Sequence, residues 1–389
     1  MATVINPESK GGLLRYGAAR MDRCFSCGNC TAVCPLSQEG TAFPRKFVRY
    51  AQLGLEDRLA TAPEPWLCYY CGECSATCPK EATPGETMAA ARRFAIAKYD
   101  PSGLAGLMFR SPAFAVFFTL LLSGILAILH LSIRLGQRAA GGETRFPAHW
   151  AVFSWIPYET IHILGVAVGA LMGIVVLAGL LNAARLMLKS QGGFAALRKR
   201  PFADFSRAFG KLAREVVTMK RHGECDTDTQ PGEPWCLRPR FAHGTILAGF
   251  VLLAAATGLD FFFVFVLKTE FYAFARVAGI IGGLLMLYGV SVYTWKRMRH
   301  ATPNTQTTTL PDAWLLFFLS VLGLTGFALL AVTGLGLKGL ASDVVVLVHS
   351  VMAMEIVLLF TLTKLAHALY RPMALFFHFL NEPPTEAAA

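Results

Sequence analysis

The sequence predicts an all-α protein in two parts, a water-soluble helical head and a bundle of six transmembrane helices. Three observations carry that prediction. Only 16% of the 389 residues are charged and 54% are hydrophobic, against about 25% and 45–50% in an ordinary soluble domain. Apolar runs long enough to cross a bilayer recur from about residue 112 to residue 370. The first 110 residues lack such runs and hold eight of the ten cysteines, between Cys24 and Cys78.

Within the head, two stretches repeat at an offset of 44 residues, CFSCGNCTAVCP from Cys24 and CYYCGECSATCP from Cys68. Each reads C-x2-C-x2-C-x3-C-P, the spacing of two-cluster ferredoxins. Three thiolates in one tight turn wrap three irons of a cubane, and Gly28 and Gly72 let the backbone approach the sulfides. The fourth cysteine cannot return comfortably to its own turn, so it ligates the other cubane. One [4Fe–4S] cluster is therefore assigned Cys24, Cys27, Cys30 and Cys78, and the other Cys68, Cys71, Cys74 and Cys34. Structural zinc also uses C-x2-C pairs, but it gives no reason for a third step and a Cys-Pro in both repeats. Met1 to Arg20 contain no apolar export segment, so the thiols are expected to face the reducing cytoplasm.

FPRKFVRYAQLG, from Phe43 to Gly54, has the pattern of a short amphipathic helix ending at a glycine. Its Arg45, Lys46 and Arg49 form either a plain solvated face or a patch that steers an acidic partner. Thr83-Pro84-Gly85-Glu86 predicts a capping box opening a helix through about Lys98.

The run TAFPRKFVRYAQLGLEDRLATAPEPWLCYYCGECSATCPKEATPGE resembles the C subunit of heterodisulfide reductase. With such a head continuing into a membrane cytochrome b, the whole chain resembles the membrane subunits of quinone-interacting membrane-bound oxidoreductases. That resemblance implies a helical ferredoxin domain over 1–110 and a six-span cytochrome b domain over 111–389, with a long cytoplasmic loop at 188–240. It also implies two flavoprotein partners and a link between the quinone pool and adenylylsulfate reductase.

Six spans are predicted, at about 112–134, 159–187, 241–267, 272–295, 313–335 and 344–368. Lys and Arg number 13 in the head, 12 over 185–240 and 3 over 296–312, against 3, 1 and 1 in the opposite loops. The positive-inside rule then puts the head, the long loop and the C-terminus in the cytoplasm of a prokaryote, with the spans in its inner membrane. The net charge of +11 is accounted for by this topology, and nucleic acid is not an expected partner.

Span six carries His349 and His367, eighteen residues apart. On a continuous helix that is five turns, which puts both rings on one face about 27 Å apart, as suits axial ligands of two b-type haems. Span three runs outward and starts near His243, which pairs with His367 for the inner haem. Span two runs inward and places His162 level with His349 for the outer haem; His130, at the outer end of span one, competes for that place. The His349/His367 spacing is similar to that of the nitrate-reductase gamma-subunit family of dihaem cytochromes, although here span three carries His243 alone. No C-x-x-C-H occurs, so haem is not covalently attached.

Glu355 and Asp260 are the candidate proton route for quinone chemistry, and Lys364 is expected to snorkel to the cytoplasmic surface. Gly165, Gly169 and Gly173 have the spacing of a close helix-packing stripe. Phe202, Phe205, Phe209, Leu212, Val216 and Met219 predict an amphipathic helix at the interface or against the head. Cys225 and Cys236 receive no role. The predicted function is a membrane electron-transfer subunit, incomplete as an enzyme alone, that joins quinone to cytoplasmic flavoprotein or iron–sulfur subunits in a heteromeric complex. Three alternatives stand beside it: a heterodisulfide-reductase-like or tricarballylate-type dehydrogenase complex, a membrane-anchored iron–sulfur redox sensor without haem, and a transporter using Glu355 and Asp260.

Overall fold

A computed structural model describes residues 5–6, 12–39, 42–139, 158–223, 232–269, 273–337 and 339–382. Helix dominates and no strand occurs among them. In the head, each cysteine repeat ends in a one-turn helix, Asn29–Ala32 and Glu73–Ala76. Further helices of the head include α1 (Arg45–Gln52), α2 (Glu64–Leu67), α3 (Pro84–Tyr99) and α4 (Leu104–Arg110). The core between them buries Phe43, Phe47, Trp66, Met88 and Tyr99 almost completely, each side chain worth about 1.5–3 kcal/mol on burial. The start of α3 differs from expectation. Thr83 is left-handed and caps nothing, because Glu86 instead accepts a hydrogen bond from Ser75 Oγ at 2.5 Å and so ties α3 to the second repeat.

Six helices are long and apolar enough to cross a membrane: Pro112–Ile133, Thr160–Leu188, Pro239–Val266, Ala273–Met298, Leu310–Gly334 and Leu340–Leu358. They lie in α5 (Pro112–Ala139), α6 (Tyr158–Leu188), then, after the loop helix α7 (Phe202–Thr218), in α8 (Pro239–Asp260), α9 (Ala273–Met298), α10 (Leu310–Gly334) and α11 (Leu340–Leu358). From Phe261 to Val266 the third span continues as a π-helix. Ile128, Ile174, Leu177 and Leu324 project outward and exposed, as lipid-facing residues must.

The glycine stripe of α6 meets no neighbour among the described residues: a Cβ added at Gly165, Gly169 or Gly173 would lie more than 4 Å from any of their atoms. The close approach is between α8 and α9. A Cβ on Gly249 would fall 2.6 Å from Gly282 O, and one on Gly289 would fall 2.4 Å from Ala242 O. Small residues on facing helices, rather than a stripe on one, allow backbones to touch.

Span six also differs from the single helix expected. After α11 the chain turns through Leu359–Thr363 and a 3-10 turn at Lys364–Ala366, then starts α12 at His367, which runs to Asn381. Thr363 is extended, and its hydroxyl bonds back to Leu359 O at 2.9 Å, a competition with the backbone that weakens helix interiors. His349 and His367 therefore lie on different helices, and the one-face geometry of a continuous helix does not apply to them.

The helix α12 packs on the head. Tyr370 meets Trp66 and Tyr99 at ring-centroid distances of 6.0 and 5.0 Å, and its hydroxyl reaches so close to α6 that a Cβ on Gly179 would lie 2.5 Å from it. Along α12 runs the amphipathic α7, with Ala208 buried and Phe205 facing Phe376 at 6.3 Å. Phe202 and Phe209 stay exposed.

Candidate redox centres

The two cysteine repeats fold alike. Gly28 and Gly72 are left-handed at φ +93° and +90°, and Ser26 and Tyr70, between the first two cysteines of each repeat, are left-handed as well. This turns the chain so that Ser26 N–H faces Cys24 Sγ at 3.4 Å and Tyr70 N–H faces Cys68 Sγ at 3.3 Å. One cavity is lined by Cys24, Cys27, Cys30 and Cys78, the other by Cys34, Cys68, Cys71 and Cys74, so each takes three thiols from one repeat and the last from the other. A single zinc would draw its ligands to about 2.3 Å of one point; among the described residues no three His, Cys, Asp or Glu are arranged to hold one ion. Both cavities fit a cluster better than an ion.

The two cavities differ in surroundings. Cys27 is exposed and Cys68 buried. Burial raises the Cys30, Cys68 and Cys74 thiols, and burial followed by neighbouring Cys68 pushes Cys34 up to about 12. The second cavity is covered by the segment between α9 and α10, whose Asn304 N would lie 2.7 Å from a Cβ on Gly72.

Beneath the second cavity, a file of side chains leads toward the spans. Arg92 donates to Cys68 O at 2.7 Å. The Tyr69 ring has Arg371 Cζ 3.9 Å from its centroid, and its hydroxyl donates to Glu215. From Tyr69 to His222 is 4.9 Å, from His222 to His243 6.2 Å, and from His243 to His367 6.2 Å, all between ring centroids. The two imidazoles His243 and His367 would suit a metal held between them.

His367 Nδ1 lies 2.6 Å from Lys364 O, which aims Nε2 away from the backbone in the manner of an oriented metal ligand. Burial, then His243, pushes the His367 pKa down to about 3, so the ring is neutral at pH 7, the form that binds metal. His243 Nδ1 is buried without a hydrogen-bond partner. His222 had no signal in the sequence, since it lies in a short helical turn between spans and only tertiary packing brings it here. Lys364 pairs with Asp312 at the start of α10, which also faces Arg297 at 3.7 Å.

Nearer the other end of the bundle, His162 Nε2 lies 3.3 Å from Asp260 Oδ2, and the ring stacks on Phe265 at 5.4 Å. This contact sits where α8 gives way to the π-helix, a feature common at functional sites. His349 is directed at α10, with Nδ1 3.0 Å from Thr325 Oγ1. His130 is fully buried; Nδ1 lies 2.7 Å from Leu126 O and Nε2 has no hydrogen-bond partner. The helices α5 and α11 run antiparallel, with Ser123 donating to Glu355 Oε2 at 2.5 Å and Leu126 packed by Val351 and Met354. One more turn sets His130 level with His349. Glu355 is fully buried and its Oε1 has no partner. Cys236 sits in a 3-10 turn whose carbonyl accepts from Tyr288, and Cys225 lies outside the described residues.

Residues 20–82 match the 4Fe-4S dicluster domain family, and residues 199–388 match the family of citrate utilization protein B. A protein of Archaeoglobus profundus described as like the C subunit of heterodisulfide reductase is 38% identical over 90 residues, 23% of this chain and 48% of the relative. The C subunit of the H(2):CoB-CoM heterodisulfide,ferredoxin reductase of Methanothermobacter thermautotrophicus is 32% identical over 63 residues, 16% of this chain and 34% of the relative. The chain thus spans about half the length of the first relative and about a third of the second. No solved structure matches. The N-terminal ferredoxin region is heterodisulfide reductase C-like, and a single chain joins it to a C-terminal region like citrate utilization protein B.

Proposed function

We propose that this heterodisulfide reductase C-like iron–sulfur subunit is the membrane electron-transfer arm of a quinone-linked oxidoreductase, with cytoplasmic flavoprotein or iron–sulfur partners supplying the other half-reaction. The observation that carries the reading is the His243–His367 pair, 6.2 Å apart at the foot of the side-chain file that starts at Cys68. Cys24, Cys27, Cys30 and Cys78 would hold one cluster of the 1–110 head, and Cys68, Cys71, Cys74 and Cys34 the other. His243 and His367 would hold an inner b haem. His349 would hold an outer one, with His130 or His162 as its partner; the unpartnered Nε2 of His130 favours His130, while His162 already faces Asp260. Clusters and haems carry single electrons, whereas quinone takes two together with two protons.

The remaining residues shape that chemistry. Cys27 and Phe25 are exposed, which makes the first site the face for a partner, while the segment between α9 and α10 lies over Gly72 at the second. Glu355, buried between α5 and α11, is placed to hold a proton inside the bundle, and Asp260 to pass one with His162. The charge asymmetry of the connecting segments supports a topology with the head on the cytoplasmic side of a prokaryotic inner membrane.

The match of residues 199–388 to citrate utilization protein B favours a second reading of the partner, a flavoprotein dehydrogenase of the tricarballylate-utilisation type in place of a link to adenylylsulfate reductase. Co-purification separates the two. The electron-transfer reading itself is tested on the purified chain by pyridine haemochrome spectra and iron analysis, with about two haems and about eight cluster irons expected per chain. A preparation with cluster iron and no Soret band would reduce the protein to an anchored iron–sulfur sensor.

A further inference from the structure

We propose that Arg371 is a shared counter-charge for two redox centres, the second cluster site and the His243–His367 pair. The proposal rests on the haem reading above. Arg371 follows His367 by four residues on α12, so the two side chains lie on one helix face. Its guanidinium stacks on Tyr69 with Cζ 3.9 Å from the ring centroid, and Tyr69 is bonded in sequence to Cys68. The cation is thereby wedged between a cluster ligand and a haem ligand.

Arg371 lacks the compensation that buried charges usually have. Nη2 is buried with no hydrogen-bond partner, and among the described residues no carboxylate forms an ion pair with it. Glu215, across the Tyr69 ring, acts on Arg371 through its charge only, its oxygen Oε1 accepting from the Tyr69 hydroxyl and from Arg221 N–H. The other cations nearby are engaged: Lys364 with Asp312, and Arg92 with the Cys68 carbonyl. An arginine cannot shed its proton, and an unpaired buried cation is costly. A fixed positive charge between two groups that gain negative charge on reduction offsets that cost, because attraction is strong where water is excluded. The reduced state of both centres is favoured, and Arg371 acts as a positioning residue for their potentials rather than as a ligand.

The test is potentiometric, on purified full-length protein in detergent, with the haem followed optically and the clusters by EPR. In Arg371→Met, the inner haem and one of the two cluster signals should each shift at least tenfold toward the oxidised form at fixed potential, about 59 mV for a one-electron couple. The other cluster signal should stay in place, and Arg371→Lys should recover most of both shifts. A shift of only one centre, or of neither, overturns the proposal, as does an Arg371→Lys protein that matches Arg371→Met. Should Arg371→Met lose its cofactors, Arg371→Gln keeps amide donors without the charge and is read the same way. Cofactor loss in all three variants would assign Arg371 a packing role and overturn the proposal. Absence of haem in the wild-type protein would instead overturn the function proposed above.

Discussion

Replacing Gly72 with alanine, and Gly28 in parallel, separates the two halves of the cysteine repeat. The glycines are equivalent in sequence and in backbone, with φ of +90° and +93°, so alanine costs both about 1–2 kcal/mol for a left-handed conformation. Their neighbours differ. At Gly28 the new methyl meets only Arg45, with Nη1 at 3.1 Å, the end of a flexible side chain. At Gly72 it lies 2.7 Å from Asn304 N and 2.8 Å from Pro303 Cβ, in a turn held by a capping box between Thr302 and Thr305. That backbone must move, at a further cost of about 1–3 kcal/mol, which corresponds to roughly fivefold to 150-fold in the population with the covering segment displaced. Chelator-driven bleaching of the clusters, with released iron counted, reads this directly. Gly72→Ala should lose one cluster quickly and Gly28→Ala more slowly, with only the backbone cost the two share. Equal bleaching, or faster loss in Gly28→Ala, would refute the covering role assigned to the segment between α9 and α10.

Four further outcomes are expected. Cys34→Ser should remove the cluster held by Cys68, Cys71 and Cys74 while leaving the other; loss of the Cys24–Cys27–Cys30 cluster would overturn the crossed ligation. His367→Ala should abolish the inner haem alone, seen as about half the haemochrome absorbance with cluster iron unchanged, and retention of both haems would reject the assignment. Asp312→Ala strands Lys364 and Arg297 and should destabilise the fold by about 3 kcal/mol, measured by denaturant-induced loss of helical signal in detergent; a change under about 0.5 kcal/mol would contradict a buried role. Because burial pushes the Cys34 thiol up to about 12, the metal-free protein holds that proton at neutral pH and iron binding must release it. Iron uptake on reconstitution should therefore strengthen as pH rises from about 6 to about 9, and a flat profile would count against the buried thiol.

Much of the architecture was legible in the sequence because it rests on local signals. Span lengths follow from apolar runs, and the crossed cysteine sets follow from spacing that no single turn satisfies. The helix of α1 was readable from its period alone. What escaped depends on partners distant in the chain. Nothing in residues 359–363 announces a helix break, since threonine tolerates helix until its hydroxyl takes a backbone carbonyl and Lys364 is drawn to Asp312. The capping box at Thr83 failed because Ser75, from the other end of the repeat, captured Glu86. A glycine stripe says that a helix permits close contact but not that a neighbour comes, and α6 has none among the described residues at those positions. His222, Tyr69 and Arg371 come from three separate segments, and only the folded chain sets them in file.

The stack of Trp66, Tyr99 and Tyr370 ties early residues to very late ones. Ribosomal synthesis makes the head long before α12 exists, so a nascent head has no partner for the exposed edge of Trp66 and no roof over Tyr69. Packing of the head around Trp66 is then a late event in biogenesis, completed when the final helix docks. A chain stopped at about residue 365 would be expected to arrive in the membrane with its spans in place and the segment between α9 and α10 over Gly72, but with the Trp66 side of its head unpacked.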